Sequence, residues 1–279
     1  MKTLSVKAKM LLLSSLMVIG IVVLAVTLIL GMHSLVQLGK SSALSIESEM
    51  TMRNLRINEK DFFNRLDLKY QAQFNENHAL IKQQLTELDK QLQAENIQLE
   101  QIPRLITLLQ QYHSGFNEVV ETQQNIGLSH TEGLYGNLRK SVREAEQLLG
   151  NFQNDALLKD MLMLRRNEKD FLLRKDVSYL DRFNTNLQVF YQNLQQSYLS
   201  DNDQRRITAL MQQYSNDFTV LVTSYEQMGF NEDLGQIGAM RSIVYEIQDV
   251  LEATTDQIAE QLVAQEKSIF IKAIMTIVI

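Results

Sequence analysis

The chain has 279 residues, 27 Lys and Arg against 33 Asp and Glu, a formal charge of −6, one proline, and neither cysteine nor tryptophan. Without cysteine there is no disulfide scaffold, thiolate zinc site, iron–sulfur ligation or cysteine nucleophile. With 45% apolar and 22% charged residues the chain reads as folded, and a lone proline leaves helices almost uninterrupted, so a mostly helical protein is expected.

In chain order, Lys2, Lys7 and Lys9 precede the run from Met10 to Leu30, 21 residues without a charge. At about 1.5 Å per residue the run covers roughly 30 Å, the thickness of a bilayer's hydrocarbon core. Residues 10–32 are expected to form a transmembrane helix. A cleaved signal peptide, the competing reading, ordinarily has a shorter apolar region and a small-residue cleavage site. The three lysines place residues 1–9 in the cytoplasm by the positive-inside bias. At the other end, 268–279 reads SIFIKAIMTIVI, apolar apart from Lys272 and about half a span in length. It is expected to be the start of a second transmembrane helix, cut short, with the signalling output in a cytoplasmic part beyond it; a tail packed on the domain is the alternative.

Residues 33–267 carry every acidic residue and all but four of the basic ones, the exceptions being Lys2, Lys7, Lys9 and Lys272. So acidic a segment argues against nucleic acid, which is held by clustered Lys and Arg, and against tight docking on anionic lipid.

This segment repeats itself. RINEKDFFNRLDLKYQAQF at 56–74 aligns with RRNEKDFLLRKDVSYLDRF at 165–183, ten identities in nineteen positions. RLITLLQQYHSGF at 104–116 aligns with RITALMQQYSNDF at 206–218, and Gly127, Gly133, Gly136 and Arg139 are matched by Gly229, Gly235, Gly238 and Arg241. One unit therefore occurs twice, at about 40–150 and 151–265, the first copy seven residues longer somewhere between Phe74 and Arg104. Apolar residues recur at helical spacing, as at Leu80, Ile81, Leu85, Leu88 and Leu92, and at Leu187, Phe190, Leu194 and Tyr198. Asp67 and Asp176 are plausible helix N-caps, Pro103 a good first helical residue, and the glycines mark helix ends. Each copy holds about four helical segments, and four amphipathic helices make a bundle, so the expected fold is all-α with two four-helix-bundle modules.

RRNEKDFLLRKDVSYLDRF, RINEKDFFNRLDLKY and the paired GLxG-like segments resemble the helical bimodular sensor domain of bacterial transmembrane receptors. That domain belongs mainly to methyl-accepting chemotaxis proteins and sometimes to sensor histidine kinases. The resemblance covers nearly all of 33–267 and the flanking membrane helices, and it departs at GQIG, 235–238. It implies two stacked four-helix modules in the periplasm, an inner-membrane location, a homodimer, and recognition of small organic acids: C4 dicarboxylates near the membrane, acetate farther out. It also implies cytoplasmic signalling partners of the chemotaxis machinery, or of a histidine kinase, the ectodomain of which could also sense a periplasmic binding protein.

The residues reach carboxylates by their own route. Arg53 and Arg56 are three apart and share a helix face, and Arg241 follows a glycine turn in the other copy. A guanidinium grips a carboxylate through two hydrogen bonds. Arg53, Arg56 and Arg241 are therefore expected to hold a dicarboxylate, and Arg139, Arg165 and Arg166 a smaller monocarboxylate. The plainer alternative pairs Arg56 with Glu59 or Asp61, and Arg165 with Glu168, as surface helix pairs worth about 0.3 to 0.5 kcal/mol. In the repeated EKDF, Phe62 and Phe171 are expected to bury while the charges face outward or lock helix ends. Tyr112 with Phe116, and Tyr214 with Phe218, read as core packing. The four histidines, His33, His78, His113 and His130, are scattered, and neither a metal motif, nor a phosphate loop, nor GxSxG occurs, so no enzyme, metal or cofactor is expected.

Overall fold

The computed structural model describes residues 5–278, with side chains through Thr276. Of the segment 1–9, residues 1–4, Lys2 among them, lie outside the described residues, as does Ile279 of the segment 268–279. Among the described residues there are eight helices and no strand: α1 (Val6–Arg65), α2 (Lys69–Ala94), α3 (Gln101–Ile126), α4 (Gly133–Gly150), α5 (Asp155–Arg174), α6 (Ser178–Gln195), α7 (Asp201–Met228) and α8 (Gly235–Val278). The chain is all-α.

The duplicated sequence forms duplicated local structure. α1 and α5 both end on a non-glycine residue in the left-handed conformation, Leu66 (φ 52) and Lys175 (φ 53). The amide of each donates to a phenylalanine carbonyl one turn back, Leu66 to Phe62 and Lys175 to Phe171, both at 2.7 Å. One residue on, Asp67 and Asp176 each accept the backbone N–H of the residue opening the next helix, Lys69 and Ser178, at 2.9 Å. The extra seven residues of the first copy fall largely in α2, which has 26 residues against 18 in α6. Seven residues are close to two helical turns, so the insertion lengthens α2 without rotating its buried face. Pro103 sits third in α3 rather than first, still within the turn whose N–H groups lack helical acceptors.

The chain divides into two compact units that do not coincide with the two sequence copies. Unit 1 takes the described residues up to Asn58, Gln73–Gln110 and the described residues from Tyr245 on. Its core is mainly aliphatic: Leu55, Ile81, Leu85, Leu88, Leu92, Leu105, Ile247, Leu251 and Ile258 are buried, with Phe74 among them. Leu80, though adjacent to this stripe, is 43% exposed, because it falls off the buried face. Within the unit, α1 and α8 approach closely along small residues. A side chain at Gly31 would collide with Ile269, and Ser45, fully buried, shares a 2.8 Å hydrogen bond with Thr255. α1 also contains a window long and apolar enough to cross a membrane, none of it buried against the rest of the chain.

Unit 2 takes Glu59–Ala72 and Gln111–Val244. Here α4 lies along α7 and α5 along α6. Both copies of the aromatic motif are in this unit, and their geometry repeats. Phe62 meets Phe116 at 5.7 Å and 85°, and Phe171 meets Phe218 at 5.6 Å and 81°, edge-to-face in both cases. All four rings, with Tyr112 and Tyr214, are fully buried. Tyr198 is fully exposed beyond the end of α6, so it does not continue the Leu187, Phe190, Leu194 stripe.

The α3–α4 and α7–α8 turns also match. Gly127 and Gly229 have φ of 123 and 105, and Gly133 and Gly235 have φ of 57 and 61. At Gly229, the C-cap of α7, an added Cβ would run into the Leu234 carbonyl, whereas Gly150 at the end of α4 has open space around it. Gly229→Ala should therefore cost more than about 1 kcal/mol in urea unfolding, and Gly150→Ala should gain about 0.4 to 1 kcal/mol. Equal effects of the two would show that backbone conformation is not what selects glycine at position 229.

Candidate functional site

A buried carboxylate is the centre of each repeat in unit 2. The expectation that the charges of EKDF face outward or lock helix ends fails at its first residue: Glu59 and Glu168 are both 0% exposed and lie within α1 and α5. Glutamate three residues before a buried phenylalanine lies on the same helix face, so Phe62 and Phe171 draw Glu59 and Glu168 inward with them. Removing a carboxylate from water costs several kcal/mol unless donors and a cation come with it.

Those donors are present in both copies. Glu59 on α1 accepts the Tyr112 hydroxyl of α3 at 2.5 Å, and Glu168 on α5 accepts the Tyr214 hydroxyl of α7 at 2.8 Å. Burial, and then the charge of Glu168, push the Tyr214 phenol well above its ordinary value, so it stays a donor. The two tyrosines thus combine core packing with a polar role that helical spacing alone does not show.

The cations differ. Glu59 pairs with Arg241 of α8 at 3.3 Å. The Arg241 side chain is 7% exposed, and its Nη2 also donates to Glu232, in the turn before α8, at 3.1 Å. The Nε of Arg241 is buried and has no acceptor within the protein. Glu168 instead pairs with Arg165, one turn back on its own helix, and Lys169 Nζ stands 3.1 Å from its other oxygen. Arg165 also reaches Glu146 of α4 at 3.1 Å. Burial works against the Arg165 charge, but Glu168, Tyr214 and Glu146 outweigh it and raise its pKa.

The six expected arginines are thus spread over several environments. Arg53, exposed, and Arg56, half-buried, belong to unit 1, whereas Arg241 belongs to unit 2. Arg53 borders a shallow groove with Glu49, Asp249 and Glu252, an excess of negative charge that repels an anionic ligand. Arg165 is held by Glu146 and Glu168 and is a buried-cluster member rather than one half of a surface pair. Arg139, the counterpart of Arg241, is half-buried on α4 and makes no ion pair among the described residues. Arg166 is 72% exposed, 3.8 Å from Asp170, and faces a separate groove between α5 and α6.

Residues beyond these arginines shape the site. Glu232 and Glu146 hold the accessible sides of the two guanidinium groups, and no spacing in the sequence pairs them with Arg241 or Arg165. Lys175, on its left-handed helix end, places Nζ 3.4 Å from the centre of the Tyr225 ring. Burial pulls its pKa down to about 8. Comparison with protein-family models and with curated proteins finds no match to this chain.

Removing one partner from the Glu59 cluster should be costly in proportion to the charge left behind. Tyr112→Phe should lose about 1 to 3 kcal/mol in urea unfolding. Arg241→Met should lose about 3 to 5 kcal/mol, because it strands a buried carboxylate. Losses below about 0.5 kcal/mol in both would mean that Glu59 is solvated.

The unfolded Lys175 keeps an ordinary pKa near 10.5, so between pH 8 and pH 10.5 the unfolded chain binds more protons than the folded one. The parent should therefore gain stability relative to Lys175→Leu as pH rises through that window. Melting temperatures of the two, measured from pH 7 upward, check this; parallel curves would refute it.

Proposed function

We propose that this chain is the ligand-sensing and membrane part of a bacterial transmembrane receptor of the chemotaxis type, resembling the helical bimodular sensor domain. Residues 33–267 lie in the periplasm as two helical modules, between transmembrane helices at 10–32 and from 268 onward, and small organic acids are the ligand. Supporting this are the duplicated all-α architecture, the membrane-length apolar window of α1, and acidic composition without a nucleic-acid footprint.

One observation carries the acid reading. Arg241 is a buried guanidinium with an Nε–H lacking an acceptor, and one of its two carboxylate partners, Glu232, has a side chain 66% exposed. An arriving carboxylate takes the free Nε–H, displaces Glu232 from Nη2, and gains the two-pronged geometry that guanidinium offers. Glu59 stays in place, so α1 and α8 remain joined within unit 2 while the α7–α8 turn is released. α8 runs on to Val278, and a difference of about 1 to 3 kcal/mol between the two arrangements is enough to bias a receptor. Through homodimers and cytoplasmic partners that bias becomes a signal.

The test is calorimetry and thermal shift on the intact chain in nanodiscs, with acetate, succinate and malate. At a hundredfold its Kd an acid should stabilise the protein by about 2.7 kcal/mol. Arg241→Lys, which keeps the charge beside Glu59 but not the fork, should abolish binding. Glu232→Gln should tighten it, by up to about tenfold. An acid response that survives Arg241→Lys, or none with any acid, rejects this reading.

A further inference from the structure

The two copies differ most in chemistry at a repeated asparagine. In the first copy Asn58 is closed off: its Nδ2 donates to Gln73 at 3.2 Å and its Oδ1 accepts from Asn77 at 2.8 Å. Both ends of the amide are used inside unit 1. Its counterpart Asn167 on α5 is 6% exposed, yet its Nδ2 has no acceptor within the protein. The residue aligned with Gln73 is Arg182, a cation with no acceptor to offer, and Ile57 and Ala72 are replaced by Arg166 and Asp181.

These replacements line one groove of about 450 Å³ between α5 and α6, with Asn167, Asp170 and Asn186. Burying an amide N–H without a partner costs free energy, so the Asn167 N–H calls for an acceptor from outside the protein, whether water or a ligand. The charges then narrow the ligand class. Arg166 and Arg182 balance Asp170 and Asp181, leaving no net charge to attract a simple anion or cation. Asp170 is engaged loosely, 3.8 Å from both Arg166 and Arg174, and Asp181 makes no ion pair among the described residues. The Arg182 guanidinium rests over the Tyr179 ring, 4.9 Å from its centre, which fixes it beside the groove.

We infer that this groove binds a free α-amino acid as its zwitterion. The ligand carboxylate takes the guanidinium groups of Arg182 and Arg166 and, as the Asn167 amide turns toward the groove, its N–H, and the ligand ammonium takes the carboxylate of Asp181. The volume accommodates a molecule of that size with its side chain directed outward. This site is separate from the Glu168 cluster and independent of acid binding at Arg241.

The experiment is thermal shift and calorimetry on the intact chain in nanodiscs, as the parent and as Arg241→Lys, in which the acid site is removed, with each proteinogenic L-amino acid and with acetate and methylamine as single-charge probes. At least one amino acid should bind, with acetate and methylamine roughly tenfold or more weaker at this site. Arg182→Gln restores the residue that the first copy uses to satisfy its asparagine, so it should abolish amino-acid binding without lowering the melting temperature. Asp181→Asn, an exposed change, should weaken binding by about tenfold or more. No response to any amino acid, or amino-acid binding unaffected by both substitutions, overturns the assignment.

Discussion

A carboxylate held away from water governs the interior of unit 2. Glu59 and Glu168 cannot be buried alone, and each brings a tyrosine hydroxyl from one helix and a cation from another position. Those partners set the depth of α1 against α3, and of α5 against α7, because a hydroxyl must meet an oxygen within about 3 Å. The edge-to-face phenylalanine pairs stack one turn beyond, so polar and apolar constraints agree on one register in both copies.

Duplication makes the differences between copies informative. The glutamate and tyrosine are retained in place, whereas the cation is delivered from α8 in one copy and from the same helix in the other. The asparagine preceding the glutamate is retained too, and so is Asn77 as Asn186, but Gln73, which accepts from Asn58, gives way to Arg182. What repeats is the machinery that pays for burial; what varies is the set of groups around it. The same contrast separates Leu66 from Lys175, two residues in one backbone conformation, of which only Lys175 carries a titratable group, its pKa lowered by burial.

A guanidinium already in contact with carboxylates is not thereby removed from ligand binding. The internal partners of Arg241 are unequal: Glu59 is fixed in the core, and Glu232 is a loosely held surface side chain. Exchange of an exposed internal carboxylate for an external one conserves charge pairing, so it costs little electrostatically and can be decided by geometry. In the proposed reading such an exchange would link occupancy to the α7–α8 turn without demanding that a bare cation wait in a dry site.

The sequence by itself determined the helical class, the duplication, the positions of most helix ends and the membrane-length segment, because composition, repeats and apolar periodicity are properties of the chain read locally. It also determined that Phe62, Phe171, Tyr112 and Tyr214 are core residues. The burial of Glu59 and Glu168, the pairing of Arg241 with Glu232, and the contrast between Asn58 and Asn167 were decided only by tertiary structure. Helical spacing says which residues share a face. Whether that face meets water, a tyrosine or a second arginine depends on which distant helix lies against it, and the compact units cut across the repeats that the sequence displays. Leu80 and Tyr198 fail for different reasons: Leu80 lies beside the covered face of its helix, and Tyr198 lies beyond the end of α6.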